Sequence, residues 1–183
     1  MINYIFFILI ISIVCISCTE NPRVVIVTNM GEIEIELNSE DARQHTENFV
    51  KLVNEGFYTG TIFHRVVPGA IIQGGDPLSK DTDPSNDGTG GPGYTLEAEI
   101  KLLHNRGSIA SARLGDKMNP KKESSGSQFY ICLKDLPQLD KLGYTVFGKV
   151  VRGMDTVDKI GSLQIDGRQR PNRRVVMERV YEE

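Results

Sequence analysis

The chain has 183 residues, 39% of them hydrophobic and 25% charged, with a net charge of -3. That length buries a core without disulfide or metal staples and fits one folded domain. The mild acidity excludes a body built around a basic, nucleic-acid-binding face, and the Arg168, Arg170, Arg173, Arg174 cluster reads as a solvated turn.

The N-terminus stands apart. No charged side chain occurs before Glu20, and residues 5–18 (IFFILIISIVCISC) are almost wholly apolar. The run is shorter than the ~20 residues of a spanning helix and ends in small residues and cysteine, as a secretory leader does. Cys15-Ile16-Ser17-Cys18 resembles the lipobox of bacterial lipoproteins. That resemblance implies cleavage before Cys18, lipidation of its thiol, and an exported protein tethered to a membrane of the bacterial cell envelope. A plain secretory signal or an uncleaved anchor fits the same run. The expected organisation is a leader 1–18, a tether 19–22 and one domain 23–183. Cys132 is then the single cysteine of the body, expected buried within QFYICL, and no internal disulfide is available.

In the body, RVVIVT and EIEIEL flank the turn triplet Asn29-Met30-Gly31. Ile33, Ile35 and Leu37 alternate with Glu32, Glu34 and Glu36, which predicts a hairpin with one wet face. Ala42, Thr46, Phe49, Leu52 and Val53 then recur at helical spacing up to Gly56. Short strand-like runs follow at TIFHRVV, AIIQGG, YTLEAEI, SIASA, QFYICL, YTVFGKVV and RRVVMERVYE, with a second helical segment near 154–160. Many short strands with two helices predict a mainly β fold, a closed antiparallel barrel.

Two long loops, 76–93 and 114–126, break the pattern, and loops of this length in a compact domain are often functional. The first contains a formal GxGxxG, Gly88 to Gly93. It follows no strand and opens no helix, so no dinucleotide site is expected there. His45, His64 and His104 lack metal-ligand spacing, and the serines lack an ordered triad; no metal and no cofactor are expected.

Chemistry concentrates in FHRVVPGAIIQGGD, residues 63–76. Alternation places Phe63, Arg65 and Val67 on one face, with Ile71 and Gln73 returning after the Pro68-Gly69 turn. A cation and an amide on an apolar surface suit an uncharged ligand that bears carbonyls. This segment resembles the central signature of the cyclophilin family of peptidyl-prolyl isomerases. The resemblance continues in order through RGSIASAR (106–113), SSGSQFYI (124–131) and LDKLGYTVFGKVV (139–151).

The resemblance implies an eight-stranded closed barrel capped by two helices, acting as a monomer on proline-containing polypeptides to assist folding of exported proteins. Arg65 takes the place of the catalytic arginine and Gln73 that of the glutamine that binds substrate backbone. Ala112 and Arg113 fall on the strand edge that holds the peptide. Gln128 supports the arginine, and Ile71, Tyr130 and Leu139 line the proline pocket, with Tyr144 beside them. Phe63 joins this substrate-binding set by the alternation above. Ala70 stands where the signature has phenylalanine, Ile71 where it has methionine, and Gln138 where cyclosporin-binding members have tryptophan. Those departures imply a weaker pocket, and they leave a weakly or non-catalytic peptide-binding module as the alternative reading.

Overall fold

A computed structural model describes residues 21–183; the leader, the Cys18 lipidation site and residues 19–20 of the tether lie outside the described residues. β1 (Arg23–Thr28) and β2 (Gly31–Leu37) form the expected hairpin, in register from Arg23 opposite Glu36 to Thr28 opposite Gly31. Ile33, Ile35 and Leu37 are fully buried, as their alternation requires. Glu34 departs from the expected wet face. It is only 5% exposed and is held by Arg23 at 3.3 Å and Arg152 at 2.8 Å, because the strands on both sides of β2 contribute an arginine.

α1 (Arg43–Asn54) buries Thr46, Phe49, Leu52 and Val53 against the sheet, and Gly56 at φ +68° turns the chain away. Its first amides would be orphaned, having no side-chain cap of their own. The Glu99 carboxylate accepts from the backbone N–H of Gln44 (3.2 Å) and of His45 (3.0 Å) and takes that role from a distant loop.

The main sheet adds β3 (Arg65–Val67), β4 (Ile71–Gly74), β6 (Ser108–Ser111), β8 (Phe129–Cys132), β9 (Val146–Arg152) and β10 (Met177–Glu182). All eight strands pair antiparallel in the order β10-β1-β2-β9-β6-β8-β4-β3. The closed ladder expected from the sequence is not formed: β3 and β10 end the order without pairing as strands. Residues just before β3 meet the start of β10 through Phe63 N–H to the Val175 carbonyl (3.0 Å), Met177 N–H to the Thr61 carbonyl (2.8 Å) and Gly60 N–H to the Met177 carbonyl (2.8 Å). A single bridge, Ile62 to Val176, is all the ladder this seam carries. A separate ribbon of β5 (Thr95–Leu96) and β7 (Ser124–Ser125) ties the two long loops together.

Three α-helices are present among the described residues, where two were expected. α3 (Met154–Gly161) matches the second, and α2 (Pro137–Leu142) is additional. α2 escapes periodicity because it spans six residues, started by Pro137 and stopped by Gly143 in the left-handed conformation at φ 75°.

Inside the sheet, Phe129 is the hub of an aromatic cluster. Its ring meets Phe49 edge-on at 5.6 Å, Tyr58 at 5.8 Å and Phe63 at 6.1 Å. Cys132 is buried and free, and burial pushes its thiol up to about 12, so it is inert packing. Among the described residues no helix is long and apolar enough to cross a membrane.

Candidate active site

The β3–β4 hairpin sets the site. Its register places Arg65 directly opposite Gln73 and Val66 opposite Ile72. Val66 and Ile72 point into the core at 0% exposure, so the pleat turns Arg65 and Gln73 outward together. Arg65 Nη1 donates to Gln73 Oε1 (3.1 Å), and Arg65 Nε donates to Gln169 Oε1 (2.9 Å). Gln73 Nε2 donates onward to Gln128 Oε1 (3.1 Å), whose own Nε2 donates to the carbonyls of Gly88 (3.0 Å) and Gly90 (2.8 Å).

A directed chain of amides thus runs from the glycine loop to the guanidinium. Gln128, expected to support the arginine, does so through Gln73. Each amide keeps a hydrogen or a lone pair unspent for a ligand. Asp76 anchors the glycine loop: fully buried, it accepts from the N–H groups of Leu78 (2.8 Å), Gly88 and Gly90 (3.1 Å). The formal GxGxxG therefore serves as a scaffold for Gln128.

In the same register row as Arg65 and Gln73 stands Tyr130, part of a second apolar cluster separate from the core. Tyr130, Leu136 and Val146 form its floor, and Ala70, Ile71, Ala112, Leu139 and Tyr144 pack over them partly exposed. The Tyr130 and Tyr144 rings meet edge-on at 6.1 Å. Tyr130 is pinned from behind, since its hydroxyl lies 2.9 Å from His104 Nε2 and His104 Nδ1 lies 2.6 Å from Asp140. Burial raises the Tyr130 phenol well above its ordinary range. It also lowers His104, against the pull of Asp140. His104 reads as isolated in the sequence because its partners come from α2 and β8. A groove of about 760 Å³ continues past Gln73 and Gln128 between the two long loops, with Ala112 on its wall.

One expected ligand contact is corrected, and a second is given its side-chain partners. Phe63 is not on the face of Arg65; it is 0% exposed in the core, because the regular strand begins only at Arg65 and the assumed alternation loses phase before it. The Arg113 side chain is 1% exposed and turned inward. It stacks on Tyr144 at 4.3 Å and donates to Asp116 (2.7 Å) and to the Leu142 carbonyl (2.7 Å), so its charge is spent within the fold while the residue still lines the groove beside Ala112. The turn read from Arg168 to Arg174 is also more than solvated. Arg170 donates to the Pro84 carbonyl (2.7 Å) and Arg174 to that of Ser79 (2.8 Å), fastening the loop after Asp76.

His64 sits next to Arg65 but takes no part in this network. It is 4% exposed, and both ring nitrogens are buried without a protein partner. Burial lowers its pKa to about 4, only partly opposed by Asp76. A histidine near 6.5 in the unfolded chain binds a proton that the native state refuses, so stability falls with pH from about 6.5 towards 4. The expected loss from His64 alone is about 3 kcal/mol, with His45 and His104 shifted in the same direction. Urea unfolding at pH 7.5, 5.5 and 4 reads this, and His64→Asn should flatten the dependence. A midpoint constant across that range would contradict it.

Comparison with known proteins agrees with this geometry. Residues 23–182 match the family model described as cyclophilin type peptidyl-prolyl cis-trans isomerase/CLD. The chain belongs to the cyclophilin family. It is 44% identical over 138 residues to a peptidyl-prolyl cis-trans isomerase of Helicobacter pylori (strain ATCC 700392 / 26695), covering 73% of this chain and 76% of that one. It is 40% identical over 158 residues to peptidyl-prolyl cis-trans isomerase A of Dickeya dadantii, covering 82% and 76%.

Among solved structures, a cyclophilin type isomerase of Cryptosporidium parvum superposes with a TM-score of 0.79 at 32% identity, covering 89% of this chain and 98% of that one. The same protein in the presence of the dipeptide Ala-Pro gives 0.77 at 31% identity, covering 88% and 98%. The fold is thus the mainly β cyclophilin fold, and this cyclophilin is a peptidyl-prolyl cis-trans isomerase.

Proposed function

We propose that Arg65 is the catalytic group and that the apolar cluster of Ile71, Ala112, Tyr130, Leu139 and Tyr144 grips the proline ring. Peptide resonance imposes a rotation barrier of ~18–20 kcal/mol, and X-Pro bonds isomerise over tens to hundreds of seconds unaided. No bond need break. As the bond twists, the proline nitrogen regains its lone pair, and a guanidinium N–H can donate to it. That contact is absent from both planar ground states, so it lowers the barrier without over-stabilising substrate or product. Arginine suits the task because it is charged at every working pH and presents a rigid planar fork.

The observation that carries this reading is the fixed guanidinium: tied through Nη1 to Gln73, it belongs to the register row Arg65–Gln73–Tyr130, which runs across the sheet face to the apolar cluster. Gln73 and Gln128 keep spare hydrogen-bonding capacity for the substrate backbone, and the residues flanking the proline lie along the groove beside Ala112. Ala70 leaves the cluster without an aromatic side chain at that position, which forfeits on the order of 1–3 kcal/mol of apolar contact and weakens the grip. Refolding of a proline-limited substrate protein tests the reading. The wild-type chain accelerates the slow phase and Arg65→Ala does not. Equal acceleration by both would favour a module that binds peptides without Arg65 chemistry.

The site of action proposed is the cell envelope, with the chain exported and anchored through a lipid on Cys18. The support is the uncharged apolar run that ends at that cysteine. The tether of residues 19–22 would hold the domain close to the bilayer, where newly translocated chains emerge. Metabolic labelling with a radioactive fatty acid should mark the wild type and not Cys18→Ser. Label retained in the variant would contradict the anchor.

A further inference from the structure

Gln169 holds an unusual position. It lies on the loop between α3 and β10 with φ at 64°, one of two non-glycine residues with positive φ among the described residues. An L side chain is strained there, and glycine is the residue that adopts it freely. The strain is imposed by a tightly closed turn. Asp166 accepts from the N–H groups of Arg168 (2.8 Å) and Arg170 (2.9 Å) and from Arg170 Nε (2.9 Å), while its own N–H donates to the Arg170 carbonyl (2.9 Å).

The turn presents Gln169 to β3 at two points. Its carbonyl accepts from Val66 N–H (2.8 Å), and its Oε1 accepts from Arg65 Nε (2.9 Å). A glycine would keep the first contact, relieve the strain and lose the second. What the glutamine adds at this position is therefore its grip on the arginine.

From this geometry we infer that Gln169 is a positioning residue for Arg65, a reading that rests on Arg65 being the catalytic group. Gln73 holds one nitrogen of the fork and Gln169 holds another. Two attachment points on a rigid planar group fix both its position and its plane; one alone leaves rotation about the remaining bond. With Nη1 and Nε engaged, Nη2 is the nitrogen whose two hydrogens are left to donate to the twisting peptide bond. Holding the donor in place before the substrate arrives means the reaction does not have to order it at the transition state. The loss therefore falls on turnover, not on substrate binding.

The test is steady-state isomerisation of an Xaa-Pro peptide by Gln169→Gly, Gln169→Met and Gln169→Glu. Gln169→Gly should lower kcat about tenfold, the size expected for losing one hydrogen bond to a charged group, with KM within twofold and thermal stability equal or higher. Gln169→Met matches the length without the acceptor and should lose as much. Gln169→Glu restores an acceptor oxygen at the same reach and should return kcat to within threefold of wild type.

In ¹⁵N spectra the Arg65 Nε–H should be slow to exchange with solvent in the wild type and fast in Gln169→Gly. Adding Gln169→Gly to Arg65→Ala should cost nothing further. Wild-type kcat in Gln169→Gly, alongside a large loss in Arg65→Ala, would overturn the positioning role alone. Full activity in Arg65→Ala would overturn the catalytic reading beneath it.

Discussion

Arg65→Ala is expected to lower kcat/KM on an Xaa-Pro peptide by about 10²–10³-fold, the effect of removing one preorganised donor from a charge-stabilising site. That corresponds to roughly 2.7–4 kcal/mol of transition-state stabilisation, and no neighbouring side chain can replace it. Gln73 and Gln128 are neutral amides and bring no positive charge, and His104 lies behind Tyr130. The fold should survive, because Arg65 points outward while Val66 beside it fills the core. Arg65→Lys should recover less than tenfold of the loss. A lysine carries its three donors on one nitrogen at the end of a flexible stem and cannot reproduce the planar fork that meets Gln73 and Gln169 through separate nitrogens. Activity in Arg65→Ala within threefold of wild type would contradict the mechanism.

The largest effect on stability is expected from Phe129→Ala, about 3–5 kcal/mol. Phe129 is 1% exposed and joins α1 to the sheet, its ring packed edge-on against Phe49, Tyr58 and Phe63. Removing it leaves three aromatic rings facing a void that none can fill without abandoning its own contacts. The thermal midpoint should fall by about 6–20 °C, since each kcal/mol shifts a domain of this size by ~2–4 °C. Activity should suffer along with stability, because Gln128 and Tyr130 flank the same residue on either side. Phe129→Leu, which keeps most of the volume, should cost much less. A loss under 1 kcal/mol for the alanine variant would mean that the core is not organised around this ring.

Most of the fold and the central segment of the site were legible because their signals are local. The β1–β2 hairpin follows from two-residue alternation, α1 from its apolar spacing, and the Arg65–Gln73 pairing from a short turn between two strand runs. The family signature added the roles that spacing alone leaves open.

The contacts that were missed depend on distant chain. Arg65 and Gln169 are 104 positions apart, and nothing around Gln169 marks it except a strained backbone that only coordinates reveal. His104 meets Asp140 across 36 positions, so it reads as a lone histidine. Glu34 alternates as a solvated residue until arginines from β1 and β9 close over it. Arg113 lines the groove as its place on a strand edge implies, but its charge is taken up by Asp116, Tyr144 and the Leu142 carbonyl, the last two from 29 or more positions away. In each case the residue type was visible and its partner was not.

Exchange NMR on an Xaa-Pro peptide with the wild-type chain at substoichiometric concentration tests the central claim most directly. Catalysis of rotation should raise the forward and reverse rate constants by the same factor and leave the cis and trans populations unchanged. Unchanged rate constants, with peptide signals broadened or shifted by binding alone, would contradict it.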